Sequence, residues 1–270
     1  MRYVFISDVH GEFDKMIAAL KAVNFNETTD TLVTLGDLFD RGKQSREVLE
    51  YVMSLPNYIP IWGNHDYRLR ELVLGAFAQA YDISNGVAAT LPSFCNMEVE
   101  PNINLGLHLL KFDPNNKDIY DKLWNYFYRC HWAIEFPGLI GTHAWLPFYE
   151  EFDKNKDKKR YFLIKDWRER ANDWYTTSWA HTENLLANKC FPDKDMIVGH
   201  WHAWRIAKKF GCDVVKKEGD KVIIDCSTYI YSTSKNNPIN IIFIDGCSNY
   251  ECGGKVNTFV YESNIGPVFY

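Results

Sequence analysis

Tyr3-Val4-Phe5-Ile6-Ser7-Asp8-Val9-His10-Gly11 opens the chain with a short apolar run that ends in an acid, an imidazole and a glycine. Four apolar residues in a row before such a cluster read as a buried strand, Tyr3–Ser7, with its polar end at a turn. Working outward, Phe13, Met16, Ile17 and Leu20 fall at helical spacing, and Thr31–Leu35 is the next strand. A helix follows around Ser45–Leu55 with Val48, Leu49 and Val52 inward, then a strand at Tyr58–Trp62 and a helix at Tyr67–Gln79. Strands alternating with helices at this spacing predict parallel pairing and an α/β architecture. Each of these strands ends in a polar cluster. The second gives Gly36-Asp37-Leu38-Phe39-Asp40-Arg41-Gly42 and the third Gly63-Asn64-His65-Asp66. In open α/β sheets the ligand crevice lies beyond the carboxyl ends of the strands, so the three clusters are expected to meet.

Beyond this repeat the pattern weakens. From Ala80 to Arg129 the chain is punctuated by Asn85-Gly86, Pro92, Pro101 and Asp113-Pro114-Asn115-Asn116, with one helix carrying Ile119, Leu123 and Phe127. This segment reads as a helical or irregular insertion. Two strands, Trp132–Phe136 and Leu139–Thr142, are joined by the turn dipeptide Pro137-Gly138. The charged stretch Glu150–Arg160 reads as a solvated loop or helix start. A helix near Trp179–Asn188 precedes a strand at Asp195–Val198, and the last third offers strands at Lys221–Asp225, Ile239–Asp245 and Thr258–Tyr261. Without a repeat or a linker-like composition shift, residues 1–270 are expected to form a single domain.

The 270 residues carry a formal net charge of −5, which argues against a broad electrostatic footprint for nucleic acid. An anionic ligand would then have to be held by local positive charge. No apolar run reaches spanning length, so no membrane helix is expected, and the start leaves no room for a signal peptide. Seven cysteines without a C-x-x-C pair suit reduced thiols in a cytoplasmic setting. Cys247 and Cys252, the one close pair, read as structural or incidental before a zinc site. Trp62, Trp145, Trp201 and Trp204 stand near the motifs, where packing is the commoner role of an aromatic.

Two later strand ends repeat the donor pattern, as Gly141-Thr142-His143 and Gly199-His200-Trp201-His202. A lone Asp-x-His or Gly-Asp is compatible with an ordinary turn. Five such clusters at strand ends, holding five of the eight histidines, point to a site. Carboxylate, imidazole and amide donors without thiolate suit manganese, iron or zinc. Two divalent ions need a bridging carboxylate, for which Asp37 is the candidate by its central place. Ions roughly 3.5–4 Å apart can hold a bridging hydroxide and the oxygens of an in-line phosphoryl displacement.

The order D-x-H-G, G-D-x-x-D-R-G, G-N-H-[DE], an isolated His and a final G-H resembles the calcineurin-like metallophosphoesterases. The D-R-G ending resembles the phosphoprotein phosphatase branch, which includes phage and bacterial Ser/Thr phosphatases and symmetrical diadenosine tetraphosphatases. The resemblance implies two mixed β-sheets packed as a sandwich flanked by helices, with the late strands building the second sheet. It implies that Asp8 and His10 bind the first metal, that Asn64, His143 and His200 bind the second, and that Asp37 bridges. His65 would be the general acid, Asp40 its hydrogen-bonded partner, and Arg41 the phosphate grip. The 80–129 insertion, which follows the general acid directly and is the least regular part of the chain, is expected to shape substrate access; replacing it should alter substrate preference and leave metal content intact. An imidazolium supported by a carboxylate can protonate a leaving oxygen near neutral pH, and a guanidinium offers the forked donors that phosphate accepts.

Two departures stand out. The branch's W-x-R segment is here Trp179-Ala180-His181-Thr182, which puts His181 where a second phosphate-binding arginine would be, with Arg168 and Arg170 as substitutes. G-H-x-H is commoner among superfamily nucleases and phosphodiesterases, which makes His202 either a seventh metal ligand or a supporting or surface histidine. The leading expectation is a phosphatase hydrolysing phosphoserine, phosphothreonine or small phosphomonoesters with two metal ions, manganese and/or iron or else zinc. Dinucleoside polyphosphate hydrolysis is the main rival. A phosphodiesterase is favoured by His202 but opposed by Arg41 and the net charge. An inactive phospho-binding scaffold is opposed by the intact Asp37, Asn64 and His65.

Overall fold

The computed structural model describes residues 1–97, 102–153, 158–169, 173–218, 221–233, 238–249 and 253–270. Arg170 and Cys252, both named above, lie outside them. The chain runs β1 (Arg2–Ile6), α1 (Phe13–Ala22), β2 (Thr31–Thr34), α2 (Ser45–Ser54), β3 (Tyr58–Pro60) and α3 (Asn64–Leu74). Helices α4 (Ala80–Asn85), α5 (Val87–Cys95), α6 (Ile103–Phe112) and α7 (Lys117–Arg129) follow. Next come β4 (Ala133–Glu135), β5 (Leu139–Thr142), β6 (Phe148–Asp153), β7 (Lys158–Leu163), α8 (Trp174–Thr177), α9 (Thr182–Ala187), β8 (Asp195–Val198) and α10 (Ala203–Lys209). The chain ends with β9 (Val215–Glu218), β10 (Lys221–Ile224), β11 (Tyr229–Ser232), β12 (Asn240–Phe243), β13 (Thr258–Glu262) and β14 (Val268–Phe269).

Strands β1, β2 and β3 pair in parallel as expected, and β13 adds antiparallel to β1, giving the order β13-β1-β2-β3. A second mixed sheet runs β11-β12-β8-β5-β4-β14. The two sheets face each other through Tyr3, Phe5, Val33 and Leu35 on one side and Ile134, Phe136, Leu139, Ile197 and Ile242 on the other. Val4, Ile6 and Leu32, on the opposite face of the first sheet, pack with α1, α2, α5 and α7. Strand β1 is therefore covered on both faces, which is why it reads as continuous apolar sequence rather than as an alternation. The second sheet buries Ile140, Met196, Val198 and Phe243 against Trp145, Trp167, Trp174 and Leu185. This is the sandwich flanked by helices that the motif order implied.

Several expectations need correction. Residues 148–153 and 158–163 form the antiparallel ribbon β6–β7, where a loop or helix start was expected over Glu150–Arg160. Its charges hid the strand signal: Phe148 meets Tyr161 and Tyr149 stacks on Phe162, while Lys159 reaches Glu150 at 2.6 Å across the strands. Strand β10 pairs with β9 in a separate ribbon instead of joining the second sheet, and β13 crosses to the first. Helix α3 starts at Asn64, earlier than Tyr67, because the Asp66 carboxylate reaches back to the Gly63 N–H at 3.4 Å. The 80–129 segment is largely helical where it is described. Among the described residues no helix is long and apolar enough to cross a membrane.

Candidate metal centre

The loops after β1, β2, β3, β5 and β8 converge at one edge of the sandwich. Hydrogen bonding continues past the strands, with the Asp8 N–H on Gly36 O at 3.1 Å and the His10 N–H on Asp37 O at 3.0 Å. Six of the ten described non-glycine residues with positive φ are Asp8, His10, Asp37, Asp40, Arg41 and His200. Left-handed backbone in such residues costs on the order of 1–3 kcal/mol each and persists only where the surroundings over-determine it. The glycines are set by close approach. A Cβ on Gly63 would fall 2.1 Å from Asp37 Oδ1, and one on Gly199 would meet Ser7 Oγ at 1.8 Å.

Asp8, His10, Asp37, Asn64 and His143 are each no more than 2% exposed, and His200 is half-buried. Asp37 belongs to two donor groups, one with His10 and His65 and one with His143 and His200, each with donor atoms within 4.8 Å of one another. Asp37 Oδ2 lies 3.5 Å from His143 Nε2 and 3.9 Å from both His10 Nε2 and His65 Nε2. Asp37 Oδ1 is occupied by the His65 N–H at 3.0 Å, so Oδ2 alone faces the centre. The geometry pairs His65 with His10 where the sequence reading has Asp8. Asp8 Oδ1 is nevertheless 4.0 Å from His10 Nε2, while its Oδ2 accepts from the Ser7 hydroxyl and the His200 N–H. Asp8 therefore presents one free oxygen to the centre, as a ligand needs.

These donors fit divalent cations. His10 Nδ1 donates to Phe39 O at 2.9 Å and His143 Nδ1 to Leu35 O at 2.7 Å, which leaves both Nε2 lone pairs inward. His143 Nε2 then faces Asn64 Oδ1 at 2.8 Å, two acceptors that suit a shared cation. Burial, followed by the Arg41 charge for His10 and His143 for His200, holds both imidazoles well below the usual histidine range. They are neutral, as metal ligation requires. Burial, then repulsion from Asp245 and Asp37, pushes the Asp8 carboxyl well up; a bound cation would reverse that penalty.

At the edge of this cluster His65 Nδ1 lies 2.8 Å from Asp40 Oδ2. Burial works against the His65 cation, but Asp37 and Asp40 outweigh it and raise its pKa. Arg41 places Nη1 2.8 Å from His10 Nε2 and Nη2 3.2 Å from His65 Nε2. Asp66 accepts from the Asp37 and Leu38 N–H groups at 2.7 and 3.1 Å, tying α3 to the second loop. Burial and Asp37 push its carboxyl up to about 7.

The cleft above the centre measures about 200 Å³ and is lined by Asp8, His10, Asp37, Arg41, His65, His200, Trp201, His202 and Arg205. His202 thus opens onto the centre, with Nδ1 held at 2.8 Å by the buried Asp245. His181 does not line the cleft: it is exposed at the start of α9 with its ring 5.5 Å from that of Trp201. Arg168 is held elsewhere, bonded to Glu135 at 2.7 and 2.8 Å. Trp62 and Trp145 are packing residues. A larger groove, about 730 Å³ beside β6–β7, contains none of the donor residues.

Sequence reading missed Asp245, Arg205 and Thr90. Asp245 carried a usable signal, because it closes a strand and precedes Gly246 as the other clusters do. Arg205 had only its spacing of three residues from His202. Thr90, whose hydroxyl bonds Asp40, had none.

A family model described as calcineurin-like phosphoesterase matches residues 1–215. Symmetrical bis(5'-nucleosyl)-tetraphosphatases of Salmonella paratyphi B and Salmonella typhimurium are each 48% identical over 71 residues, 26% of this chain and 25% of theirs. The match therefore spans about a quarter of the length of those curated relatives. A solved structure provisionally described as a diadenosine tetraphosphatase aligns with 100% of this chain and 92% of its own, with 17% identity and a TM-score of 0.51, which speaks for the fold.

Proposed function

The chain belongs to the calcineurin-like phosphoesterase family, and on that premise we propose that it is a two-metal phosphatase that hydrolyses phosphomonoesters, phosphoserine and phosphothreonine among them. The observation that carries this reading is the His65–Asp40 pair, 2.8 Å apart, beside Arg41 and the metal donors. Asp8 and His10 would hold one ion, Asn64, His143 and His200 the other, and Asp37 both, with manganese or iron as the expected metals and zinc an alternative. The ions would polarise the phosphoryl oxygens and activate water. Arg41 grips the phosphoryl oxygens through its forked donors. His65, whose proton affinity Asp37 and Asp40 raise, would deliver its Nε2 proton to the leaving oxygen, and Asp40 would fix the ring through Nδ1. His202, oriented by Asp245, is a further ligand candidate.

A second reading, dinucleoside polyphosphate hydrolysis, is favoured by Arg205 at the cleft mouth, where a neighbouring phosphate would sit. Metal analysis followed by parallel assays on p-nitrophenyl phosphate, a phosphopeptide and diadenosine tetraphosphate separates the two. Inactivity on all three would return the chain to a phospho-binding scaffold. His65→Asn is expected to lower turnover roughly 10²–10⁴-fold with both metals retained; an unchanged rate removes the general-acid assignment.

A further inference from the structure

Two residues of the 80–129 segment reach into the general-acid loop. Thr90, on α5 and wholly buried, accepts the Asp40 N–H on its hydroxyl oxygen at 2.8 Å and donates that hydroxyl to Asp40 Oδ1 at 2.8 Å. Asp40 is itself buried, and its other oxygen, Oδ2, faces His65 Nδ1 at 2.8 Å. One carboxylate thus has one oxygen on Thr90 and one on His65, and its rotation about the Cβ–Cγ bond is fixed from both ends. Four residues earlier, Gly86 O accepts the Arg41 N–H at 3.3 Å. A Cβ at Gly86 would fall 2.3 Å from Arg41 N, so the helix corner is seated directly on the loop. Asp40 and Arg41 both hold left-handed backbone, at φ 71° and 69°. This corner supplies the contacts that over-determine them.

We infer that Thr90 is a positioning residue for the proton-transfer pair, acting through Asp40 on His65, so that the 80–129 segment is part of the catalytic machinery rather than only a wall of the access path. The inference rests on the reading of His65 as general acid. A hydroxyl is required for it: valine fills the same volume but offers Asp40 Oδ1 no proton and its N–H no acceptor. Serine preserves both bonds. Loss of the hydroxyl frees the carboxylate to turn, and the His65 ring then loses the Nδ1 anchor that aims Nε2 at the leaving oxygen.

The test compares manganese-loaded wild type, Thr90→Val, Thr90→Ser and His65→Asn on phenyl phosphate and p-nitrophenyl phosphate. The phenolate of the first is the more basic and needs the proton more. Thr90→Val should lose about tenfold more kcat/KM on phenyl phosphate than on p-nitrophenyl phosphate, a fraction of the whole general-acid contribution, and Thr90→Ser should restore the wild-type ratio. The second readout does not depend on turnover. The His65 Nδ1–H resonance, recorded on protein loaded with diamagnetic zinc, should be protected from exchange with water in wild type and Thr90→Ser and lost in Thr90→Val. Equal losses on both esters, a protected resonance in Thr90→Val, or failure of serine to rescue would overturn the inference. If Thr90→Val does not fold, Thr90→Ala is read against the same two criteria. A His65→Asn variant without leaving-group selectivity would instead overturn the general-acid reading. Selectivity in His65→Asn but not in Thr90→Val would overturn the role of Thr90 alone.

Discussion

On one side of the cleft, the loops after β1 and β2 and the start of α3 are buried, and the two loops hold left-handed backbone. Asp8, His10, Asp37, Asn64, His65 and Asp40 are each no more than 5% exposed. They are tied to one another by backbone hydrogen bonds and backed by Thr90, Gly86 and Asp66. On the other side, the residues after β8 lead into α10 with Trp201 and His202 half-buried and Arg205 exposed. Asp245 is the carboxylate that holds His202 there. Among the described residues, Arg205 makes no ion pair, and its guanidinium lies 5.5 Å from the centre of the Trp204 ring. Dense hydrogen bonding fixes donors to the tolerance that metal binding and proton transfer need. A solvated arginine on a short helix can meet different substrates. On the proposed function, the first wall together with His143 and His200 would hold the metals and the proton-transfer pair, and Arg205 would bear on which substrate is accepted.

Asp37→Asn tests that division most severely. Oδ2 is the atom shared by both donor groups, so weakening it should release metal and activity together, by at least about a hundredfold in each. A variant that kept two tightly bound ions would show that the first wall is not the metal-holding one. Arg205→Ala probes the other side. It should lower kcat/KM for diadenosine tetraphosphate about tenfold more than for p-nitrophenyl phosphate, the scale of one charge-assisted hydrogen bond near solvent, with metal content retained. Equal losses on the two substrates would place Arg205 on the scissile phosphoryl group and dissolve the contrast between the walls.

The first wall was also the legible one. Strands β1, β2 and β3 are short apolar runs, and their candidate donors follow within a few residues, so local pattern names both. His143 and His200 were readable for the same reason. The supports behind both walls depend on contacts that sequence spacing does not encode. Asp245 meets His202 across 43 positions and Thr90 meets Asp40 across 50. The β6–β7 ribbon was hidden because its charged residues outweigh an alternation that only the paired strand makes visible. The 80–129 segment was read as a shaper of access from its irregular punctuation. Its buried contacts to Asp40, Arg41 and, through Tyr126, Asp66 at 3.5 Å are invisible without the fold.

The two sheets also differ in what packs behind them, and this gives the smallest expected effect. Thr90 is a neutral support. Behind the second sheet, Glu135 on β4 accepts from Arg168 at 2.7 and 2.8 Å and from the Tyr270 hydroxyl at 2.8 Å, with Lys194 Nζ 2.6 Å away. Burial opposes its charge, but these partners prevail and lower its pKa to about 2, below the ordinary value of 4.5. A folded pKa below the unfolded one contributes stability that is complete above about 4.5. It is lost as the pH falls toward 2. Glu135→Gln should therefore lower the melting temperature at pH 7 by about 3 °C, the shift that roughly 1 kcal/mol gives in a chain of this size. The gap to wild type should narrow as the pH is taken from 5 to 3. Melting curves with a pH-independent gap would mean that Glu135 contributes packing alone, and the second sheet would then gain no acid-sensitive support from it.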